Sequence, residues 1–427
     1  MEKFLLHSTI VKCIKLGGLA LLVIYTLVHY LQTGIFFAAK PTSIGDFATT
    51  WPTYWAWAIN PDLIKQNHIV EIWMGSAGAN KWNYGPVVHF VLFPLLLGIK
   101  SYHCAILIWL FTCHVLLLIT MFLWYKILFI NTKLHSSATA ILYCFLWLNF
   151  FPLYECLVSK NVEILELFFV TLSFFLLFKK REVSSGIFLA LAVMTKFLPF
   201  IFLPYFMIKK KYKLTISSLI TILIIALFSQ YFLGWENNVT LSMIRGVGGT
   251  WSSYESQAMS SWIYRLFSMP SVNYEAVLSI NTNLIIFLTR IVIYSFILFY
   301  GIMILCLNRH AIVASEIAIL MILMITLMQH AHVYYLIFLL VPFSFFLQNI
   351  VILLQDNYFN LRLKLELGIL LSSYAILGVI LPFRFLTFLF NHALEVYLYY
   401  SFPVYGYLAL LVYFTFENLN QRSQLFY

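Results

Sequence analysis

Charge is what this sequence has least of. Only 10% of its 427 residues are charged, against 62% hydrophobic, with a mean hydropathy of +0.90. No soluble core absorbs that much apolar surface, so the composition requires an all-α polytopic membrane protein. Aspartate is scarcer still, with Asp46, Asp62 and Asp356 the three in the chain. The loops expected outside carry no Asp-x-Asp pair, so a metal-independent site is expected, with no cofactor. The six cysteines (Cys13, Cys104, Cys113, Cys144, Cys156 and Cys306) lie in or beside apolar segments without paired spacing or a Cys-x-x-Cys. They read as packing residues, not as disulfides or metal ligands. No soluble domain, low-complexity linker or internal repeat is visible, so residues 1–427 read as one integral membrane domain. The missing repeat argues against a transporter built from duplicated halves.

What is present is a series of apolar runs separated by basic clusters. A crossing needs about 20 apolar residues, and that rule gives about ten full spans: 16–37, 103–125, 137–155, 163–178, 214–234, 284–307, 311–329, 333–354, 366–388 and 396–416. The net charge of +10 comes mainly from short clusters such as Lys179-Lys180-Arg181 and Lys209-Lys210-Lys211. That is the pattern of cytoplasmic loops rather than of a nucleic-acid surface. Two stretches then have to begin and end on one side. Residues 86–98 are too short to cross, and 185–208 is bracketed by basic clusters, so it is expected to form a re-entrant pair of half-helices broken near Lys196, Pro199 and Pro204. With both termini cytoplasmic, the outer face receives a first loop, 38–85, and a second, 235–283. The first is rich in Trp and Tyr, as interfacial helices are.

The motifs in these segments resemble a known family. Asp46 is followed by an aromatic stretch and Tyr84-Gly85-Pro86. Lys160-Asn161-Val162-Glu163 precedes an apolar helix, a basic turn and the run from Gly186 to Lys196 and Pro199, ending at Leu203-Pro204-Tyr205. Gln329-His330-Ala331-His332-Val333-Tyr334-Tyr335 comes late in the chain, and Ser260-Ser261 precedes Arg265. Together, over about residues 40–345, these resemble the polyprenol-phosphate-dependent glycosyltransferases of the GT-C superfamily, specifically family 87, which includes mannosyl- and arabinofuranosyltransferases. The chain departs from that pattern in having Lys-Asn-Val-Glu for Gly-Gln-x-Asn, Tyr-Gly-Pro for Tyr-Pro-Pro, and His-Ala-His for adjacent histidines.

The resemblance implies a GT-C-type bundle and transfer of a hexose or pentose, mannose-like, from a polyprenyl-phosphate donor. The acceptor is a lipid or glycan hydroxyl, and the anomeric centre inverts. It also implies a multi-pass protein of the bacterial inner (plasma) membrane, with the site facing the periplasm or exterior. Such a reaction needs a base for the acceptor and donors for the departing phosphate. Asp46 is the candidate base; the same Gly-Asp pair is also ordinary helix-capping chemistry. Lys196 is the first candidate for the phosphate, because a lysine in an apolar stretch is usually functional or paired; Glu163 or Glu166 is the alternative partner. His330 and His332 are candidate donors to phosphate or sugar hydroxyls, and Arg245 and Arg265, near a Gly-rich run, are candidate phosphate clamps. Lys160 and Glu163, with Glu166 at the same three-residue spacing, form an internal ion pair or bind sugar hydroxyls. Asn161 and Tyr84 complete the candidate donor site. The rival readings are a transporter or flippase of lipid-linked sugars and a glycan polymerase or ligase.

Overall fold

Long runs of Leu, Ile and Phe in lipid must satisfy their own backbone polar groups, and a helix is how one segment does so alone. The structure, a computed structural model, describes residues 17–40, 85–96, 99, 101–130, 132, 134–233, 256–267, 282–307, 311–328, 331–355, 361–378, 401–419 and 425–426. In chain order the helices are α1 (Gly17–Phe37), α2 (Pro86–Leu96), α3 (Tyr102–Tyr125, continued by a π-helical turn, Lys126–Ile130), α4 (Ser137–Leu148), α5 (Phe151–Val158), α6 (Glu163–Phe178) and α7 (Glu182–Thr195). A 3-10 turn (Leu198–Ile201) leads into α8 (Phe202–Ile208), followed by α9 (Tyr212–Leu233), α10 (Met259–Phe267), α11 (Thr282–Leu307) and α12 (Ala314–Thr326). A 3-10 segment (Val333–Leu339) runs into α13 (Leu340–Gln355), and α14 (Leu361–Gly378) and α15 (Phe402–Leu419) follow. Among the described residues the only strands are Ile312–Val313 and Leu425–Phe426, paired antiparallel.

Among the described residues, four stretches are long and apolar enough to cross a membrane: Gly17–Phe37, His103–Ile130, Tyr212–Tyr231 and Val333–Leu354. They fall where the spans 16–37, 103–125, 214–234 and 333–354 are predicted, and they make the chain an integral membrane protein. Several shorter apolar helices, α4, α7 and α12 among them, pack with these. The span predicted over 137–155 is not one helix. It breaks at Asn149 and Phe150, where Phe150 turns extended and Pro152 opens α5. A proline has no N–H to extend the α4 ladder, and its fixed φ suits a first turn.

Burial separates the spans into two kinds. Val333–Leu354 is 83% buried over its most apolar window, whereas Gly17–Phe37 and Tyr212–Tyr231 are 17% buried. The first is therefore the centre of the bundle and the other two form its lipid-facing rim. Polar side chains tie the neighbours of the central helix together. Trp147 Nε1 donates to Ser344 Oγ at 2.9 Å, Gln348 to the Leu128 carbonyl at 2.6 Å, and Trp124 Nε1 to Thr171 Oγ1 at 2.8 Å. Between helices surrounded by lipid, such bonds and close packing replace the hydrophobic drive available in water.

Three helices end in the same way. Lys160, Lys180 and Lys210 have φ of 55°, 60° and 57°. In each turn the lysine N–H bonds the carbonyl three residues back and the next N–H bonds the one five back: Asn161 to Cys156 (3.0 Å), Arg181 to Leu176 (2.9 Å) and Lys211 to Phe206 (2.9 Å). These are Schellman caps with lysine in the left-handed position that glycine ordinarily fills. They reverse the chain after α5, α6 and α8.

Residues 182–208 consequently run out and back. α7 leads away from the turn at Lys180, the chain breaks at Lys196, and α8 returns to the turn at Lys210. Both turns line one cleft. The return is anchored by Lys209, which pairs with Glu316 Oε1 at 2.8 Å, and by the Tyr205 hydroxyl, which donates to Glu316 Oε2 at 2.9 Å; both ion-pair side chains are fully buried. α7 and α9 approach closely at Gly186, where a Cβ would overlap the Leu214 carbonyl and the Ser217 hydroxyl, and Ser218 Oγ donates to the Gly186 carbonyl at 2.8 Å. Gly186→Val should lower stability by about 1–3 kcal/mol through overpacking, whereas Gly301→Ala, where nothing lies within 4 Å of the new Cβ, should leave it unchanged or raise it by up to about 1 kcal/mol. Thermal unfolding of the two variants in detergent checks this, and a Gly186→Val protein as stable as wild type would refute the close α7–α9 contact.

Candidate active site

The break in the α7–α8 hairpin is where chemistry collects. Lys196 is extended (φ −146°, ψ 141°) and ends α7. Its side chain therefore leaves the helix axis and reaches across the bundle. The ammonium forms an ion pair with Glu163 at the start of α6 and donates to the Tyr335 hydroxyl at 2.8 Å. It also lies 4.2 Å from the centroid of the Tyr335 ring and 5.7 Å from that of Tyr334, within cation–π range. Glu163 is wholly buried and Lys196 is 6% exposed. Three elements distant in sequence thus converge on one cation.

Glu163 is placed by the capped turn before it. Lys160, in its left-handed conformation, accepts a bond at its carbonyl from Trp109 Nε1 (3.0 Å) and curls its ammonium back to the Val158 carbonyl (3.0 Å). Burial lowers the Lys160 pKa from its ordinary value to about 8. Cys156 Sγ makes long contacts of 3.9 Å with the Asn161 carbonyl and Glu163 Oε2. Of the two acidic residues the spacing allows as partner, Glu163 takes Lys196. Both carboxylate oxygens of Glu166 are buried without a hydrogen-bond partner among the described residues.

The chain entering α2 also meets this point. Gly85 is buried, its N–H donates to the Thr195 carbonyl at 2.8 Å, and a Cβ on it would overlap the Met194 carbonyl. Only glycine allows this approach, and Pro86 then opens α2. The chain entering α2 is therefore held against the break beside Lys196 at Gly85. Asp46, Tyr84, Arg245 and His330 themselves lie outside the described residues.

His332 caps the 3-10 segment and stacks on Tyr334, with ring centroids 5.1 Å apart. Its pKa is pushed down to about 4, by burial first and by the Lys196 charge second. The ring is neutral at neutral pH and offers one N–H donor, not a positive charge.

Arg265 serves a neighbouring network. Its guanidinium donates to the Ser256 carbonyl at 2.7 Å and to the Ser401 hydroxyl. The Gln257 N–H donates to the Ala331 carbonyl (2.5 Å) and the Ala331 N–H to Ser256 Oγ (3.2 Å). Arg265 thereby ties α10 to Ser256 and Ser401, and Ser256 and Gln257 in turn hold Ala331, which leads into His332, Tyr334 and Tyr335. Tyr335, Ser256 and Ser401 were not candidates from sequence; Tyr335 was detectable as an aromatic hydroxyl beside the His-Ala-His turn, and the two serines carry no such signal. Among the described residues, no group of three or more His, Cys, Asp or Glu side chains is gathered to hold a metal.

A family model described as glycosyltransferase family 87 matches residues 82–329. The match contains the Tyr84-Gly85-Pro86 motif, the Lys160–Glu163 turn, Lys196, Arg245 and Arg265; Asp46, His330, His332 and Tyr335 lie beyond it. No curated relative matches the chain.

The Lys196–Glu163 pair makes a sharp stability test. Removing one partner of a buried pair leaves the other uncompensated at a cost of about 3–5 kcal/mol, whereas replacing both with apolar groups costs far less. Lys196→Met should therefore destabilise strongly, and adding Glu163→Met should restore most of the loss. Thermal unfolding of the two single variants and the double variant measures the coupling, and additive losses would contradict the pairing.

Proposed function

The chain belongs to glycosyltransferase family 87, and on that footing we propose that it moves a hexose or pentose, mannose-like, from a polyprenyl-phosphate donor to a lipid or glycan hydroxyl. The observation that carries this reading is Lys196, a buried ammonium pinned by Glu163 and Tyr335 beside Gly85. In this proposal the acceptor oxygen bonds to the anomeric carbon as that carbon's bond to the phosphate oxygen breaks. Asp46 takes the acceptor proton, and polyprenyl phosphate leaves with the bonding pair. A single displacement of this kind inverts the anomeric centre.

Lys196 stabilises the negative charge that grows on the phosphate in a site from which water is largely excluded, where electrostatic stabilisation is strongest. His332, neutral at working pH, supplies a hydrogen bond without adding charge repulsion to Lys196. Lys160 and Asn161 hold the turn that orients Glu163. Tyr84, Arg245 and His330 complete the donor site from the outer loops, and Arg265 positions the turn carrying His332 and Tyr335. In this reading the site faces the periplasm or exterior, and residues 185–208 form a re-entrant hairpin with Lys196 at its tip.

Transfer from a radiolabelled polyprenyl-phosphate hexose, in membranes carrying wild type or Asp46→Asn, tests the proposal. Asparagine caps a helix as well as aspartate does, so the substitution removes the base and keeps the cap. We expect transfer with wild type and a loss of about 10²- to 10⁴-fold in the variant. Equal transfer in both would remove Asp46 from the chemistry, and no transfer from any polyprenyl-phosphate sugar would remove the donor class.

A further inference from the structure

At the opposite end of α7, about 20 Å from Lys196 at 1.5 Å per residue, the two basic Schellman turns stand side by side. They line a cleft of about 790 Å³ with Lys180, Arg181, Lys210 and Lys213. One carboxylate, Glu182, shares the cleft, and it pairs with Lys211 at 3.3 Å. The four lining cations are exposed and converge from two separate turns. α7 and α9 both begin here, so the N–H groups of two first turns and the positive ends of two helix dipoles add to the same field. Lys180 and Lys210 also occupy left-handed positions that glycine adopts without strain. Orienting a membrane protein needs basic residues near this end, but it does not need them to converge on one cleft.

The surroundings of the cleft say what kind of anion it takes. The outer face of α9 carries a continuous apolar stripe, Ile216, Ile220, Leu223 and Leu227, each 53–59% exposed. It runs from the cleft along a membrane-length helix, beneath Tyr212, which is itself 55% exposed at the rim. A free phosphate would use only the cations; a lipid would use both the cations and the stripe.

We propose that this cleft binds the phosphate headgroup of an anionic phospholipid, with an acyl chain lying along the outer face of α9. Lys180 and Lys210, each two residues ahead of a helix start, take the phosphate. Tyr212 lies at headgroup level, where amphipathic rings are favoured. The site is separate from Lys196 and does not depend on the transfer reaction.

The test is native mass spectrometry of detergent-purified protein with phosphatidylglycerol or phosphatidylcholine added, with and without millimolar inorganic phosphate. The main variant is the double Lys180→Gly, Lys210→Gly, which removes two cations while suiting both left-handed turns; Lys213→Gln, on the first turn of α9, is the second. Wild type should retain phosphatidylglycerol in preference to phosphatidylcholine, with inorganic phosphate failing to displace it. Near a membrane surface each cation contributes about a fivefold preference, so the double variant should lose roughly 25-fold and Lys213→Gln about fivefold. Equal retention of the two lipids, a preference unchanged in both variants, or full displacement by inorganic phosphate would overturn the proposal.

Discussion

The site depends on one buried charge pair. An ammonium inside an apolar bundle is costly unless a carboxylate and hydrogen bonds compensate it, and Lys196 has both in Glu163 and the Tyr335 hydroxyl. To bring these together, the α7 helix has to stop at Lys196, the α5–α6 turn has to present Glu163, and the segment entering the central helix has to deliver Tyr335. Gly85 packs on the same break. The pair is therefore a constraint on the fold, and in the proposed reaction it is the point from which the donor phosphate is recognised.

The two ends of the α7–α8 hairpin have different chemistry for a structural reason. At the break, one cation is enclosed by aromatic rings and a carboxylate, so its charge is strong and directed. At the turns, several cations are exposed beside lipid-facing helices, so their charge is spread over an interface. A second buried pair, Lys209 with Glu316, fastens the returning half to α12. Lysine serves three purposes within 31 residues here, from Lys180 to Lys210: it closes turns, locks helices and offers charge. Its flexible stem and compact head suit all three.

Much of this was legible in the sequence because it is local. The four membrane-length helices follow from apolar runs, and the family from the motifs around Tyr84-Gly85-Pro86, Lys160–Glu163 and Gly186–Pro199. What was not legible is tertiary. Spacing along α6 leaves Glu163 and Glu166 equivalent, and only the reach of Lys196 from 33 residues away separates them. The 137–155 run is mostly apolar, so the interruption at Asn149–Phe150 is masked by its overall composition even though Pro152 marks a helix start. His332 reads in sequence as a donor to phosphate or sugar hydroxyls, but that burial and a lysine 136 residues earlier hold its pKa down is not written there. Arg265 looks like a phosphate clamp, yet its guanidinium is met by Ser256 and by Ser401, 136 residues further on.

The most direct measurement is an electron cryo-microscopy map of the protein bound to a non-transferable polyprenyl-phosphate sugar. The proposed reaction requires the phosphate within hydrogen-bonding distance of Lys196, about 3 Å, with the sugar held between the Tyr335 turn and the 38–85 segment. A phosphate bound elsewhere, with Lys196 still closed on Glu163, would contradict it.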